Sequence, residues 1–198
     1  SNVGQPSSSW SRSSTKTFSI FGSLGYDFGD LRVTAEGRYN GDRKRAQVFS
    51  VSNPTAAPGI NQPIVGTTVP AVGTFPVIGP KFAKTFNSFS PRLTIDYEAT
   101  DDIFLYASAS KGVRAGGFNT ANAVSATGIL ASEVPYDEEE NWTYELGFKS
   151  EWFDRVLMVN AAYFHVDCKS AQVSSFTENP TATNPNRIIR NSGTIKTN

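Results

Sequence analysis

Two side chains that often perform chemistry, an imidazole and a thiol, each occur once in this sequence of 198 residues, as His165 and Cys168. A Ser-His-Asp triad would have to be built around His165, and a lone thiol forms neither an intramolecular disulfide nor a C-x-x-C pair. His165 is followed by Val166 and Asp167, which indicates a strand and not a nucleophile elbow. We therefore predict that the chain is not an enzyme and assign it no catalytic residue, no metal site and no cofactor.

Two further patterns bear on charged ligands. The acidic run Asp137-Glu138-Glu139-Glu140 offers the carboxylate oxygens that hard cations prefer, although we favour the alternative of a solvated loop end. The segment from Gly112 to Gly117 is rich in glycine but lacks the Gly-Lys-Ser/Thr ending of a phosphate-binding loop. The sequence therefore predicts no nucleotide site.

The composition favours aromatic-rich strands and their turns. The chain contains 14 Phe, 7 Tyr and 16 Gly, and aromatic residues make up 12% of it. Because 18 basic residues balance 18 acidic ones, no overall charge attracts nucleic acid. No stretch approaches the roughly 18 consecutive apolar residues of a membrane helix, so any insertion into a membrane must use strands.

Alternation of apolar and polar residues predicts strands that pair as hairpins across short turns. The predicted strands cover residues 16–28, 31–39, 89–98, 103–114, 141–152 and 156–169, with the beginning of a further strand at 187–196. Phe21, Phe104 and Tyr106 disturb the alternation, and the parity of the last complete strand stays open. Residues 40–85 and roughly 115–140 are rich in proline, glycine or polar residues, and we predict that both are long loops.

The strands and connections favour a membrane barrel over a soluble antiparallel sandwich. Most predicted strands reach the roughly 9 to 11 residues that a tilted strand needs to cross a bilayer. Aromatic residues mark both strand ends: Tyr26, Phe28, Tyr97 and Trp152 beside the short turns, and Phe18, Tyr39, Phe89 and Trp142 beside the long loops. The polar faces carry ions that hydrocarbon would not tolerate: Arg32, Glu36, Arg38, Arg92, Asp96, Glu145 and Lys149. Short turns at one end and long loops at the other decide for the barrel.

Several stretches together resemble the barrel domain of TonB-dependent receptors. They are Phe21-Gly-Ser-Leu-Gly-Tyr-Asp-Phe-Gly-Asp-Leu-Arg-Val-Thr-Ala-Glu-Gly-Arg-Tyr39, Ser90-Pro-Arg-Leu-Thr94, Leu105-Tyr-Ala-Ser-Ala-Ser-Lys-Gly-Val-Arg-Ala-Gly-Gly-Phe-Asn119, Tyr144-Glu-Leu-Gly-Phe-Lys149 and Asn191-Ser-Gly193. No single stretch is specific, whereas their order and spacing along nearly the whole chain are.

The resemblance implies an outer-membrane barrel of about 22 strands in a Gram-negative bacterium. It also implies a plug domain in the lumen and import of a scarce solute, such as an iron-siderophore complex or cobalamin, with energy passed through TonB. Six strands and part of a seventh cannot close such a barrel, and an open edge in lipid would leave backbone groups unpaired. We therefore expect residues 1–198 to be a partial barrel domain, an all-β antiparallel transmembrane segment without a plug.

Two sites follow from this placement. Arg114 and Phe118 lie where a strand enters an external loop, and the resemblance implies a ligand-binding role at this vestibule, although shaping of the strand end is the simpler interpretation. The basic run Arg43-Lys44-Arg45 could bind lipopolysaccharide phosphates or an anionic siderophore, with a solvated loop base as the alternative. Outer-membrane lipid, lipopolysaccharide, TonB and a siderophore-like ligand are thus the expected partners.

Two other function classes remain open at this point. One is an outer-membrane barrel that hydrolyses lipids, which would need a serine and an acid or amide beside His165. The other is a soluble carbohydrate-binding sandwich, whose apolar face would pack against a second sheet.

Overall fold

A computed structural model describes residues 8–51, 76–120, 128–180, 182 and 186–198. The strands are β1 (Ser8–Phe28), β2 (Leu31–Val51), β3 (Pro76–Thr100), β4 (Ile103–Arg114), β5 (Gly117–Phe118), β6 (Pro135–Tyr136), β7 (Glu139–Trp152), β8 (Leu157–Lys169), β9 (Gln172–Phe176), β10 (Arg187–Asn191) and β11 (Ile195–Thr197). Ala131–Glu133 form a 3-10 turn. Among the described residues, no helix has the length and apolar character needed to cross a membrane.

One antiparallel sheet forms the body of the described chain. Its seven strands follow the order β1-β2-β3-β4-β7-β8-β11, and β9 with β10 and β5 with β6 form separate two-stranded sheets. Gly29 adopts a positive φ of 70° in the turn between β1 and β2, which glycine tolerates without steric cost. The predicted hairpins and their short turns are confirmed, and the sheet is not closed.

The first three strands are longer than the sequence pattern predicts. β1, β2 and β3 contain 21, 21 and 25 residues, so residues 40–51 and 76–85 extend the strands and the prediction of a loop over all of 40–85 is wrong at both ends. The centre of that predicted loop lies outside the described residues. Pro80 does not prevent pairing because the register shifts opposite Gln47 and Phe49, and such an irregularity accommodates a residue without an N–H.

β4 leaves the long strands early. β3 pairs with β4 only from Arg92 onward, immediately after Pro91. Proline has no N–H to donate to a neighbouring strand, which explains why the pairing ends there. Beyond this point the inner side of β2 and β3 is available to the loops.

Two other predictions at the loop end are corrected. The predicted strand at 187–196 is divided, because Arg187–Asn191 pairs with β9 whereas Ile195–Thr197 pairs with β8. β9 itself, Gln172–Phe176, lies in a region predicted as loop. The predicted loop at 115–140 contains the short pair β5 and β6 and the first residues of β7.

Strand register sorts the side chains of the sheet onto two faces. Residues with even numbers in β1 and β7, and with odd numbers in β2, β3, β4 and β8, form an apolar face. This face is open, with Leu24 and Leu146 exposed to 78% and 61%. The predicted terminal aromatics and the predicted inward ions lie on opposite faces, as expected for lipid outside and a lumen inside. We call these the outer and inner faces.

The aromatic residues that disturb the alternation are explained by this register. Phe104 and Tyr106 lie on the inner face, where Lys149 Nζ is 5.9 Å from the centre of each ring. The Tyr106 hydroxyl donates a hydrogen bond of 2.6 Å to Glu145. The Tyr106 ring also covers Gly147 on the adjacent strand. These two aromatic side chains therefore belong to a polar lumen wall.

The buried apolar cluster of the described chain lies at the loop end and not within the barrel wall. Val48, Ile129, Val134 and Ile188 form it, with Phe82 and Phe118 packed against it. Because Val48 and Phe82 lie on the inner face of β2 and β3, the loops fold inward over the upper lumen wall.

Candidate functional site

The candidate site is built from the segments that fold inward at the loop end. We call residues 115–120, 128–138, 170–180 and 186–194 the loop assembly. It packs on β2 and β3 through the buried cluster, and the rings of Phe82 and Phe118 stack with their centres 5.7 Å apart. Two asparagines and a glutamine connect its segments.

Asn119 joins the 3-10 turn to β10. Its side-chain amide donates to the carbonyls of Glu133 and Ile189 at 2.7 Å each, and its side-chain carbonyl accepts from the Ile189 amide at 2.9 Å. The Asn119 backbone amide also donates to the Val134 carbonyl at 2.7 Å. One side chain thus satisfies backbone groups of two segments that would otherwise lack partners in a half-buried place.

Asn191 does the same between β10, β8 and the segment before β7. It accepts from the Asp137 amide at 2.7 Å, and donates to the carbonyls of Asp137 and Ser170 at 3.0 and 2.9 Å. Its side chain therefore imitates a strand neighbour for Asp137, exchanging both a donor and an acceptor.

Gln172 connects β9 to the end of β4. Its side-chain nitrogen lies 3.4, 3.3 and 3.0 Å from the backbone carbonyls of Arg114, Ala115 and Asp137, and its backbone amide donates to Glu139 at 2.6 Å. The acidic run is thereby used internally at one of its members.

Glu133 is the buried charge of the loop assembly. Its side chain is 8% exposed and accepts hydrogen bonds from the Thr177 hydroxyl and the amides of Glu178 and Leu130, at 2.5, 2.8 and 2.9 Å. Arg190 adds an ion pair at 3.1 Å. Burial raises the pKa of Glu133, but these hydrogen bonds and the guanidinium outweigh it and hold the pKa below its usual value of 4.5.

Two lysines attach the loop assembly to the inner face of the long strands. Lys44 and Lys84 are directly opposite each other on β2 and β3. Lys44 Nζ donates to the Gly116 carbonyl at 2.7 Å, and Lys84 Nζ forms an ion pair with Asp137 at 2.5 Å. Both ammonium groups also lie over the buried Phe86 ring, at 5.8 and 5.0 Å from its centre.

Gly116 is required by this attachment. A Cβ there would lie 2.5 Å from the Phe86 ring and 2.8 Å from the Asp137 carbonyl carbon, closer than real side-chain contacts. The backbone of the loop can approach the strands only without a side chain at this position.

A shallow pocket of about 280 Å³ lies between β10 and the 3-10 turn, with Tyr136, Glu178, Arg190 and Asn191 among its lining residues. Typical small-molecule sites are larger, roughly 300–1,000 Å³. Arg190 is already paired with Glu133 and Glu178. The pocket therefore supplies no free charge for a ligand.

The two predicted ligand-binding residues have different environments. Arg114 ends β4 on the inner face with an exposed side chain, and its guanidinium makes no ion pair within the described residues. Phe118 is half-buried in the cluster against Phe82. The structure therefore places Arg114 where a ligand can reach it, whereas Phe118 packs the loop against the wall.

The charged runs are divided by the strands that carry them. In the acidic run, Asp137 pairs with Lys84 and Glu140 with Lys111 at 2.7 Å, and no group of three potential metal ligands occurs in the described residues. In the basic run, Lys44 faces inward, whereas Arg43 and Arg45 face outward from β2.

His165 has two described neighbours on the outer face. Its ring stacks on Tyr144 with the centres 6.5 Å apart, and its Nδ1 contacts the side-chain carbonyl oxygen of Asn198. This is the environment of a strand residue at the edge of the aromatic band.

Sequence reasoning missed Glu133, Gln172 and Arg190 as residues that hold the site. Nothing local distinguishes them, because their partners are remote in sequence. Asn119 and Asn191 did carry a signal, since each ends or begins a stretch quoted above for the family resemblance.

The fold is similar to those of two solved outer-membrane receptors. One is the ferric yersiniabactin uptake receptor FyuA from Yersinia pestis, with a TM-score of 0.62 and 17% identity over 95% of this chain and 23% of that chain. The other is the ferric-catecholate import receptor Fiu from E. coli K12, with a TM-score of 0.57 and 16% identity over 94% of this chain and 24% of that chain. At these identities the likeness shows the fold, and the chain spans about a quarter of either receptor.

The sequence matches the family described as TonB dependent receptor-like, beta-barrel, over residues 1–198. The chain belongs to the TonB-dependent receptor family. Its predicted fold class, an antiparallel segment of a transmembrane barrel, is thereby confirmed. The family is one of receptors, which confirms the prediction that the chain is not an enzyme and supports neither the barrel hydrolase nor the soluble sandwich.

Proposed function

We propose that this chain is a partial barrel domain, 1–198, of a TonB-dependent receptor that imports iron-siderophore complexes across the outer membrane. Two observations support the ligand class: the structural neighbours with TM-scores above 0.5 are named as ferric yersiniabactin and ferric-catecholate receptors. The plug domain and the contact with TonB would be supplied by parts of the receptor other than these strands.

The observation that carries the proposal is the inward fold of the loop assembly. It covers the upper inner face of β2 and β3 and stops beside β4, where Gln172 reaches the Arg114 and Ala115 carbonyls. This arrangement leaves the Arg114 guanidinium on the lumen side at the margin of the assembly. A positive charge in such a place suits an anionic ligand such as a ferric catecholate complex.

The two predicted site residues then have separate roles. Arg114 contacts the ligand, and Phe118 holds the loop that forms the vestibule wall. Replacing Arg114 removes one charge-assisted contact, worth roughly 1.5–3 kcal/mol and thus about tenfold or more in affinity. Replacing Phe118 would instead loosen the wall.

The test is uptake of ⁵⁵Fe by cells that produce the complete gene product containing this chain as their sole receptor of this class. Catecholate and hydroxamate complexes are supplied separately, with and without TonB. We expect TonB-dependent uptake of at least one complex, and an apparent KM raised about tenfold by Arg114→Gln at unchanged surface abundance.

Arg155→Gln is the matched control, because Arg155 lies at the short-turn end and pairs with Glu151 at 3.0 Å. It should leave uptake unchanged. Uptake that does not require TonB would overturn the import proposal, whereas an unchanged KM in Arg114→Gln would overturn only the role of Arg114.

A further inference from the structure

The outer face of β1, β2 and β3 carries a cluster of basic side chains beyond the loop-end aromatic residues. All of its members are exposed, and we call them the outer basic patch: Arg12, Lys16, Arg43, Arg45 and Lys81. Within the described residues none of them forms an ion pair with an acidic group. The remaining outward positions of these segments are uncharged: Ser14, Gly41, Gln47, Ala83, Thr85 and Asn87.

Strand register brings the patch together. Lys16 is directly opposite Arg43, Arg45 is one outward position farther along β2, and Gln47 lies between Arg12 and Lys81. Directly opposite residues on one face have Cβ atoms about 4.5–5.5 Å apart. The five charges therefore form one continuous surface across three neighbouring strands.

Like charges directly opposite each other destabilise a sheet. The chain compensates such a pair on the inner face, where Lys44 and Lys84 are opposite each other but bind the Gly116 carbonyl and Asp137. On the outer face, Lys16 and Arg43 have no such compensation from the described residues. The missing partner must therefore come from outside the chain and must be anionic.

The height of the patch identifies the partner. Lys16 is two residues beyond Phe18, and Arg43 is four beyond Tyr39, so they lie roughly 7 and 13 Å farther along tilted strands. The headgroup layer occupies about 5–8 Å on each side of the hydrocarbon core, and basic side chains extend further into it. The patch thus lies level with the headgroups of the outer leaflet.

We propose that the outer basic patch binds the phosphate groups of lipopolysaccharide. Its carriers are Arg43 and Arg45 of the basic run, joined by three residues from β1 and β3, whereas Lys44 belongs to the inner attachment of the loops. Guanidinium groups suit phosphate because they donate in pairs. This proposal rests on membership of an outer-membrane barrel family and does not depend on the imported ligand.

The experiment compares lipid binding by the complete gene product in detergent. The probes are purified diphosphoryl lipid A and its dephosphorylated form, measured by native mass spectrometry after delipidation. The patch variant is K16Q/R43Q/R45Q, and the control is R32Q/R38Q/R92Q, which removes three charges from the inner face. Far-UV circular dichroism and heat-modifiable migration verify that each variant is folded.

We expect the patch variant to bind diphosphoryl lipid A at least tenfold more weakly, since each basic residue near an anionic surface contributes about fivefold. The control should bind like the wild type, and dephosphorylated lipid A should bind weakly to all three proteins. Equal loss in the control, or equal binding of the two lipids, would overturn the proposal. If the triple variant does not fold, R43Q and R45Q are measured singly, and unchanged binding in both would also overturn it.

Discussion

The side chain of Asn119 offers the sharpest test of how the loop assembly is held. Asn119→Ala removes three hydrogen bonds of 2.7, 2.7 and 2.9 Å and leaves the Glu133 carbonyl and both backbone groups of Ile189 without this partner in a half-buried place. At roughly 0.5–1.5 kcal/mol for each bond, the local cost is about 2–4 kcal/mol. The opening equilibrium of this segment should therefore rise roughly 30- to 1,000-fold.

The assay is hydrogen exchange of the complete gene product in detergent, followed for the peptides that cover β10 and the 3-10 turn. Exchange of the Ile189 amide should accelerate by the same factor, whereas amides in the centre of β2 should not change. Asn160→Ala is the matched control, because Asn160 is an exposed asparagine on the inner face of β8. An acceleration below threefold at Ile189, or an equal one in the control, would refute the bridging role.

Two further predictions concern the same region. Gly116→Ala should destabilise the attachment by at least about 2 kcal/mol because its Cβ overlaps the Phe86 ring and the Tyr136 carbonyl oxygen, whereas Gly193→Ala, with open space around it, should be neutral; protease sensitivity of the loops at matched folded fraction measures both. Because the pKa of Glu133 is lowered in the folded loops, its stabilisation is complete above the usual value of 4.5 and is lost as the pH falls through the lowered value. Exchange protection, corrected for intrinsic rates, should therefore stay constant from pH 7 to 5 and decrease below 4.5, and a decrease already at pH 6 would contradict this.

The faces of the sheet were predictable because they depend on local alternation. In β2, Leu31 and Val33 lie outside and Arg32 inside, as their spacing predicts. Lipid and lumen select opposite residue types at successive positions, so the pattern survives without knowledge of any neighbour.

The limits of the strands were less predictable. The alternation continues past Tyr39 as Asp42, Lys44 and Val48 on one face and Arg43 and Arg45 on the other, but with no aromatic or aliphatic residue to mark the outer side. Outside the hydrocarbon layer, neither face has to be apolar, so composition no longer separates strand from loop. Pairing with β1 and β3 maintains the strand there.

The site shows the same division more strongly. Arg114 could be placed at a strand end from sequence, since Val113 precedes it in a regular strand and glycines follow it. That Asn119 would bond Ile189, 70 residues later, could not, because such a bond depends on how two loops fold over the wall.

The sequence by itself therefore determined the class of protein, the membrane-facing side and the position of the turns, because each follows from residues one or two positions apart. Only the tertiary structure decided that Lys44 faces the loops while Arg43 and Arg45 face the membrane side, and that the buried core lies under the loop assembly. A period of two assigns a side chain to a face, but what covers that face is fixed by segments far away in the chain.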